Sequence, residues 1–187
     1  ENGEYQAGQR DLMEALHYLQ LTGNRPTEAR IVNALGYTDA MLGNYTAALE
    51  RHHTSRRISR EIQQPVQESH ALHNLCTVER KRGNLELAEE YGQEALRLAL
   101  VYDLPDAVNY ARLHLGYVWL AKGDLEEAAL SFQLAADGWQ TQQSTNLQRE
   151  SLVGVAAVAY RQDQLQQAAD LIRPIVPILL ECVPDNV

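Results

Sequence analysis

Four sets of residues recur at intervals of forty along this chain of 187 residues, and this period limits what the chain can fold into. The sets are Gly43, Gly83, Gly123 and Asp163; Ala48, Ala88, Ala128 and Ala168; Leu35, Leu75, Leu115 and Val155; and Tyr45, Leu85, Leu125 and Leu165. A fixed period between about twenty and fifty residues marks a repeat architecture, in which each unit buries its apolar face against its neighbours. The period therefore predicts an array of similar units.

Each unit has the pattern of two helices. Between Ala107 and Trp139, apolar residues recur at spacings of three and four, except where Lys122-Gly123-Asp124 interrupts them. Such spacing is typical of amphipathic helices, and the interruption predicts a tight turn between two of them. The glycine of the turn suits a left-handed conformation at the end of the first helix.

Three further sets of residues fit this helix pair. The predicted side-chain N-caps of the second helices, placed directly after the turns, are Asn44, Asn84 and Asp124, the last in a capping box with Glu127. The prolines predicted to begin the first helices are Pro26, Pro65 and Pro105. The small residues expected to face the alanine set, and so to let the two helix axes approach closely, are Gly36, Cys76, Gly116 and Ala156.

This combination resembles the tetratricopeptide repeat (TPR), a helix pair with small and aromatic residues at set offsets. The residues that match the motif in order are Leu115, Gly116, Trp119, Gly123, Ala128, Phe132 and Ala135. The period exceeds the standard unit by six residues, and such variants are similar to those of bacterial signal-transduction ATPases and transcriptional activators. HEAT and armadillo units have comparable periods, but the Leu-Gly and Gly-Asn/Asp columns favour the TPR. The resemblance implies an all-α, right-handed α-solenoid of antiparallel helix pairs.

The period also sets the expected organisation of the chain. The nine helices are predicted near 4–20, 26–42, 45–63, 66–82, 85–102, 106–122, 125–140, 146–162 and 165–180. They form a single solenoid of a half repeat, 1–24, and four repeats, 25–64, 65–104, 105–144 and 145–187. Because the register opens on a second helix, we expect the chain to be a piece of a larger protein.

Composition and motifs argue against several classes of function. The net charge of −9 argues against a general nucleic-acid or anionic-membrane surface. Cys76 and Cys182 lie far apart and outside any Cys-x-x-Cys pair, which indicates a reducing, cytoplasmic compartment without a zinc site. No nucleophile elbow, phosphate-binding loop or dinucleotide fingerprint occurs in the sequence, so we expect neither an enzyme nor a cofactor.

The candidate site follows from the resemblance, because the first helices line the concave groove of TPR solenoids. The residues at groove-facing offsets are Asn33, Tyr37, His70, His73, Asn74, Thr77, Tyr110, Leu113, His114 and Tyr117. Aromatic, amide and imidazole groups in such an arrangement suit an extended peptide or protein segment. The chain is therefore expected to be a binding scaffold within a bacterial regulatory or signalling protein.

Other interpretations remain open at this point. Resemblance to the bacterial activators implies a sensor module that binds a small effector. The apolar last helix suggests self-association into a homodimer through Ile175, Ile178 and Leu179. The basic run 51–60 is either a solvated helix face or a docking patch for an acidic partner or phosphate. No histidine cluster in the sequence has the spacing of a metal site.

Overall fold

The structure, a computed structural model, describes residues 2–176, with side chains from residue 5 onward. The helices in this range are α1 (Asn2–Thr22), α2 (Arg25–Met41), α3 (Tyr45–Glu61), α4 (Pro65–Arg82), α5 (Leu85–Val101), α6 (Pro105–Lys122), α7 (Leu125–Thr141), α8 (Thr145–Arg161) and α9 (Leu165–Ile172). No strand occurs among these residues. The prediction of an all-α solenoid of helix pairs is confirmed, and the first eight helices begin and end within two residues of their predicted bounds.

The last helix is shorter than predicted. α9 ends at Ile172, and Arg173 to Ile175 form a turn that closes with a 2.8 Å bond from the Ile175 N–H to the Ile172 carbonyl. Pro174 explains the early end, because a proline has no N–H with which to continue the helical ladder. The remainder of the predicted helix, including Ile178 and Leu179, lies outside the described residues.

Every junction between consecutive helices has the same backbone geometry. One residue per junction has a positive φ, and these residues are spaced by twenty: Gly23, Gly43, Gln63, Gly83, Asp103, Gly123, Gln143 and Asp163. The residue that follows each of them donates its N–H to the carbonyl five positions earlier, as Asn44 does to Asp39 at 2.8 Å. This bond is the 6→1 closure of the Schellman motif. The predicted turn set of Gly43, Gly83, Gly123 and Asp163 is thus half of a longer series that also includes the junctions between repeats.

The predicted N-caps occupy the right positions but do not make the predicted bonds. Asn44, Asn84 and Asp124 all precede a helix, and none of their side chains bonds the helix N-terminus. Asn84 instead donates from Nδ2 to Glu79 Oε2 at 2.6 Å. At α2 a residue of this kind does cap its helix, since Asn24 Oδ1 accepts the Thr27 N–H at 3.2 Å.

The described residues up to Ala111 form one compact unit, and those from Arg112 onward form a second. In the first unit, α1 to α4 each pack against the next helix, and α2 also contacts α4. A cluster of Leu72, Ala95 and Ala111 lies in the core of this unit. In the second unit, α8 packs against both α7 and α9.

Within a helix pair, one position of the first helix faces one position of the second. Where the side chain at the first position is smaller, the side chain at the second is larger, and the reverse. A Cβ added to Gly36 would lie 2.7 Å from the His52 ring, and one added to Gly116 would lie 2.7 Å from the Phe132 ring. In the intervening repeat the sizes are exchanged, with Cys76 on the first helix and Gly92 on the second helix, at the position equivalent to 52 and 132. The groups closest to these two glycines are therefore the rings at 52 and 132, one helical turn beyond the alanines at 48 and 128.

Candidate functional site

An open groove lies between α1, α2 and α4 of the first unit. It has a volume of about 580 Å³. The residues that line it are Tyr5, Leu12, Arg30, Asn33, Ala34, Tyr37, Thr38, Gln67, His70 and Asn74. The structure thus brings four of the predicted site residues, Asn33, Tyr37, His70 and Asn74, to one surface. We refer to it as the first-unit groove.

The repeat explains why two helices supply most of this lining. α2 and α4 are the first helices of successive repeats, so equivalent positions lie forty residues apart. On α2, Arg30, Asn33 and Tyr37 share one face because they are three and four residues apart. On α4, His70 and Asn74 share the corresponding face for the same reason.

A buried histidine holds the two asparagines of the groove in place. His52 Nδ1 lies 2.8 Å from Asn33 Oδ1, and Asn74 Nδ2 donates to the same oxygen at 3.2 Å. His52 is only 1% exposed, and burial lowers its pKa to about 4, with a smaller effect from the neighbouring His53. The ring is therefore neutral at pH 7, and its Nδ1–H donates to Asn33.

This network determines which amide groups face a ligand. A carboxamide has one oxygen that accepts hydrogen bonds and two N–H groups that donate them. The oxygen of Asn33 is occupied by His52 and Asn74, which leaves the Asn33 N–H groups and the Asn74 oxygen for the groove. A donor and an acceptor held side by side match the C=O and N–H of a peptide main chain.

His52 was not expected in the site. It belongs to a second helix, and its only signal in the sequence is a separation of eighty residues from Phe132, which marks the two as equivalent core positions. Because the repeat places a ring at this position, the imidazole fills the core while its Nδ1 reaches the groove side of α2. An alignment of the second helices of the repeats would identify His52 as the equivalent of Phe132.

Rings extend from the first-unit groove along α4 to α6. The ring centroids of His70 and His73 are 5.5 Å apart, and His73 stacks on Tyr110 at 5.4 Å with an interplanar angle of 24°. Burial lowers the pKa of His70, although the charge of Asp106 acts in the opposite direction. His73 and Tyr110 are therefore in this row of rings rather than in the groove lining itself. Thr77 Oγ1 donates to the His73 carbonyl of its own helix at 3.0 Å.

The remaining predicted site residues belong to the second unit. Leu113 is 1% exposed and packs in the core, which corrects its assignment to a binding surface. An apolar side chain at the edge of a buried stripe gains about 2 kcal/mol by turning inward. His114 is half-buried. The hydroxyl of Tyr117 lies 3.4 Å from Glu150 Oε1, and its ring contacts Phe132 edge-on at 5.0 Å.

Comparison with known proteins identifies the fold. No protein-family model and no curated protein matches the chain. BtubC (BKLC) from P. vanneervenii matches 99% of this chain and 78% of its own, with a TM-score of 0.77 and 18% identity. A putative kinesin light chain from Podosopora anserina with nearly identical TPR-like repeats matches 98% of this chain and 91% of its own, at 0.68 and 15%. The fold is a TPR-like solenoid.

The apo form of RapI has a similar structure, with a TM-score of 0.73 and 14% identity over 92% of this chain and 65% of its own. At identities this low, the similarity to these proteins concerns the fold alone. The period of forty residues is accommodated within that fold by helices of 17 or 18 residues from α2 to α8.

The basic run of α3 serves the TPR-like fold itself. The ion pairs of its arginines join Arg51 to Asp39, Arg56 to Glu94, Arg57 to Glu61, and Arg60 to both Glu68 and Glu94. These carboxylates lie on α2, α3, α4 and α5, so the run connects four helices. The run is therefore a helix face that is solvated at Arg57 and Arg60 and largely buried at Arg51 and Arg56, and these four arginines are paired within the chain rather than free for an acidic partner.

An apolar hollow of about 620 Å³ lies between α6, α8 and α9 of the second unit. Its lining is mainly aliphatic, with residues such as Leu120, Val153 and Ile172, and also includes Tyr160, Arg161 and Arg173. Ile175, which was expected to mediate self-association, is 4% exposed and buried within its own chain, so it offers no surface for a second copy. Ile178 and Leu179, the other two residues of that prediction, lie outside the described part of the chain.

Two further properties concern the part of the chain that the structure describes. Among these residues, no three His, Cys, Asp or Glu side chains are close enough together to hold a metal ion. None of the helices between residues 2 and 176 has both the length and the apolar character that spanning a bilayer requires.

Proposed function

We propose that the chain is a non-catalytic scaffold that holds an extended peptide or protein segment in the first-unit groove. The observation that carries this proposal is the amide pair of Asn33 and Asn74, fixed by the buried ring of His52. We further propose that the scaffold belongs to a larger bacterial regulatory or signalling protein of the cytoplasm.

The form of the groove favours a peptide over a small effector. Pockets for small molecules enclose most of the ligand surface and are mainly apolar. The first-unit groove is open, and hydrogen-bonding side chains supply much of its lining. An extended segment can lie along such a groove, because its main chain finds polar partners at each step while alternate side chains point away.

The amide pair and one aromatic ring have separate roles in this proposal. Asn33 and Asn74 would bind the ligand main chain, and their fixed orientation lowers the entropy lost on binding. Tyr37 is 52% exposed and offers a large apolar ring with a polar tip, a combination that is common at binding surfaces. Contacts from His73, Thr77, Tyr110, His114 and Tyr117 to a ligand stay predictions.

The proposal can be tested with peptides selected from a random phage-displayed library against the whole chain. We expect Tyr37→Ala and Asn74→Ala to weaken the selected peptides by about tenfold or more, since each removes a contact that costs over 1 kcal/mol. The matched control is Tyr102→Ala, which removes a ring that is 56% exposed and outside the groove. Peptides that bind equally well to all three variants would show that the groove is not the binding site.

A further inference from the structure

The apolar hollow of the second unit corresponds, position by position, to a place in the first unit where a helix packs. In the first unit, Val78 of α4 is buried in one cluster with Ala40 of α2 and Ala48 of α3. Tyr45 and Leu49 pack against the same cluster. Three repeats of forty residues later, the positions equivalent to the four partners of Val78 all line the hollow, and they are Tyr160, Leu165, Ala168 and Ala169. The hollow therefore has the residue positions of a surface that receives a helix.

The two places differ in whether a helix covers them. In the first unit, α4 contacts both α2 and α3, and Ala40 is only 8% exposed. No helix in the described range follows α9, and here Tyr160 and Leu165 are 64% and 60% exposed. Large apolar side chains that are exposed side by side are typical of interaction sites.

The shape of the hollow suits a helix because its lining forms one stripe on each of two neighbouring helices. The stripe on α8 extends from Val153 to Arg161, and the stripe on α9 extends from Leu165 to Arg173, both at spacings of three and four. Each stripe spans about 12 Å, or about two helical turns. Each also contains two adjacent alanines, whose small side chains allow a third helix to approach the pair closely.

An arginine lies at each end of the hollow. Arg161 is the last residue of α8, Arg173 follows the end of α9, and both are exposed. The equivalent residues of the first unit are Met41 and His53, so the two guanidinium groups belong to this hollow and not to the repeat. Arg173 pairs with Asp170 at 3.2 Å, but both side chains are more than half exposed, and such a pair costs little to exchange.

We propose that the apolar hollow binds an amphipathic helix of a partner protein, with carboxylates at the two ends of its aliphatic stripe. The stripe packs on Leu165 and the alanines, and the carboxylates pair with Arg161 and Arg173. Carboxylates seven residues apart lie on one face of a helix, about 10.5 Å apart along its axis, which fits the length of the hollow. This surface belongs to the second unit and is additional to the peptide groove proposed for the first.

The test uses three pools of helical peptides of about eighteen residues, stapled on one side and labelled with an uncharged fluorophore. Opposite the staple, the stripe positions are mixtures of Val, Leu and Ile, and the other positions are Ala and Gln. Two positions at the ends of the stripe, seven residues apart, are Glu in one pool, Gln in the second and Lys in the third.

Fluorescence polarisation with the whole chain should show the Glu pool binding about tenfold more tightly than the Gln pool. The Lys pool should bind least tightly. Because the net charge of −9 attracts cations overall, a preference for Glu identifies a local cationic site.

Charge variants connect this preference to the two arginines of the hollow. The double variant Arg161→Gln/Arg173→Gln should bind the Glu pool no more tightly than the Gln pool. The matched control is Arg112→Gln/Arg149→Gln, which removes the same charge from α6 and α8 at residues outside the hollow and should keep the preference.

A second pair of variants tests the apolar contact. Ala169→Gln places a longer side chain in the hollow at an exposed position and should weaken the binding of every pool about tenfold or more. Ala121→Gln, the same replacement at an exposed position of α6 outside the hollow, should leave binding unchanged, and so should Tyr37→Ala in the first-unit groove. Circular dichroism melting would verify that each variant is folded.

Several outcomes would overturn the inference, and none of them affects the proposed function of the first-unit groove. If no pool binds, if the Glu pool has no advantage, or if either hollow variant binds as the wild type does, the hollow is not a site for an acidic helix. Binding seen only in Leu179→Asp would identify residues 177–187 of the chain as the occupant. A dimer in sedimentation velocity that Ala169→Gln dissociates would identify a second copy instead.

Discussion

The ring of His52 covers Gly36 so closely that a methyl group on Gly36 would lie 2.7 Å from it. We therefore expect Gly36→Ala to lower the free energy of unfolding by about 1–3 kcal/mol through overpacking, despite the better helix propensity of alanine. Thermal or urea unfolding measures the change. The control is Gly8→Ala in α1, where nothing lies within 4 Å of the new Cβ, and which should stabilise the chain slightly. If both variants behave alike, the close contact at Gly36 is not real.

Acid should destabilise the protein through His52. Its pKa is about 4 in the folded chain and near 6.5 when unfolded, so the unfolded state binds more protons between these values. Stability from this group is complete above about pH 6.5 and declines as the pH falls toward 4, by about 3 kcal/mol in total. Urea unfolding at a series of pH values would measure this slope. His53 and His70 also have lowered pKa values, so the wild type alone does not isolate His52.

His52→Phe isolates the contribution of this one imidazole. The equivalent position of another repeat carries Phe132 opposite Gly116, so a phenyl ring has the shape that this position accepts. The variant should unfold with a shallower dependence on pH between 4 and 6.5 than the wild type. An unchanged slope would mean that other groups cause the acid sensitivity.

Replacing each of two arginines of α3 by glutamine should have very different effects on the free energy of unfolding. Arg56 is largely buried and binds Glu94, with Glu68 also close, so Arg56→Gln leaves partly buried carboxylates without their full partner. We expect a loss of about 1.5–3 kcal/mol in the free energy of unfolding. Arg57→Gln breaks an exposed pair with Glu61 and should leave stability almost unchanged. Equal effects on the urea midpoint would contradict a structural role for the buried pairs.

The left-handed residues that are not glycine offer a route to greater stability. Gln143 has a φ of 57°, a conformation that costs a residue with a Cβ about 1 kcal/mol. Gln143→Gly should raise the free energy of unfolding by about that amount. Gln140→Gly, the same replacement within α7, should lower it by about 1 kcal/mol. Differential scanning calorimetry of the two variants would show opposite shifts in Tm, and shifts of the same sign would rule out this explanation.

The helix positions could be predicted closely from the sequence because the signals that mark them, the repeat period, glycines and prolines, depend on nearby residues alone. Gly43 and Pro65 mark helix boundaries through their own backbone preferences, and no distant contact is needed to interpret them. The left-handed turns at Gln63 and Asp103 were not predicted because glutamine does not signal that conformation and aspartate signals it only weakly compared with glycine. Both residues adopt the left-handed conformation because the chain must reverse its direction at these positions, between two helices of fixed length.

The site was harder to predict because it depends on side chains that meet across helices. Asn33 and Asn74 were identified from their offsets, but the bond between them depends on His52, which lies on another helix. The ion pairs of the α3 arginines cannot be read from the sequence because partners such as Glu94 lie more than thirty residues away. The prediction for Leu113 was wrong because a helical offset shows only toward which side of the helix a residue points. The hydrophobic effect decides whether its side chain is buried or exposed.

The regular spacing of the left-handed turns has a consequence for how such a chain can change in length. Since each helix and its turn occupy twenty residues, gain or loss of one helix would leave every later turn intact. It would, however, exchange the two kinds of helix: after a shift of twenty residues the ring-bearing position of His52 would align with Val32, and Gly36 would align with Arg56. Duplication or deletion in this chain should therefore proceed by whole helix pairs, with forty residues as the smallest step that natural variation can take.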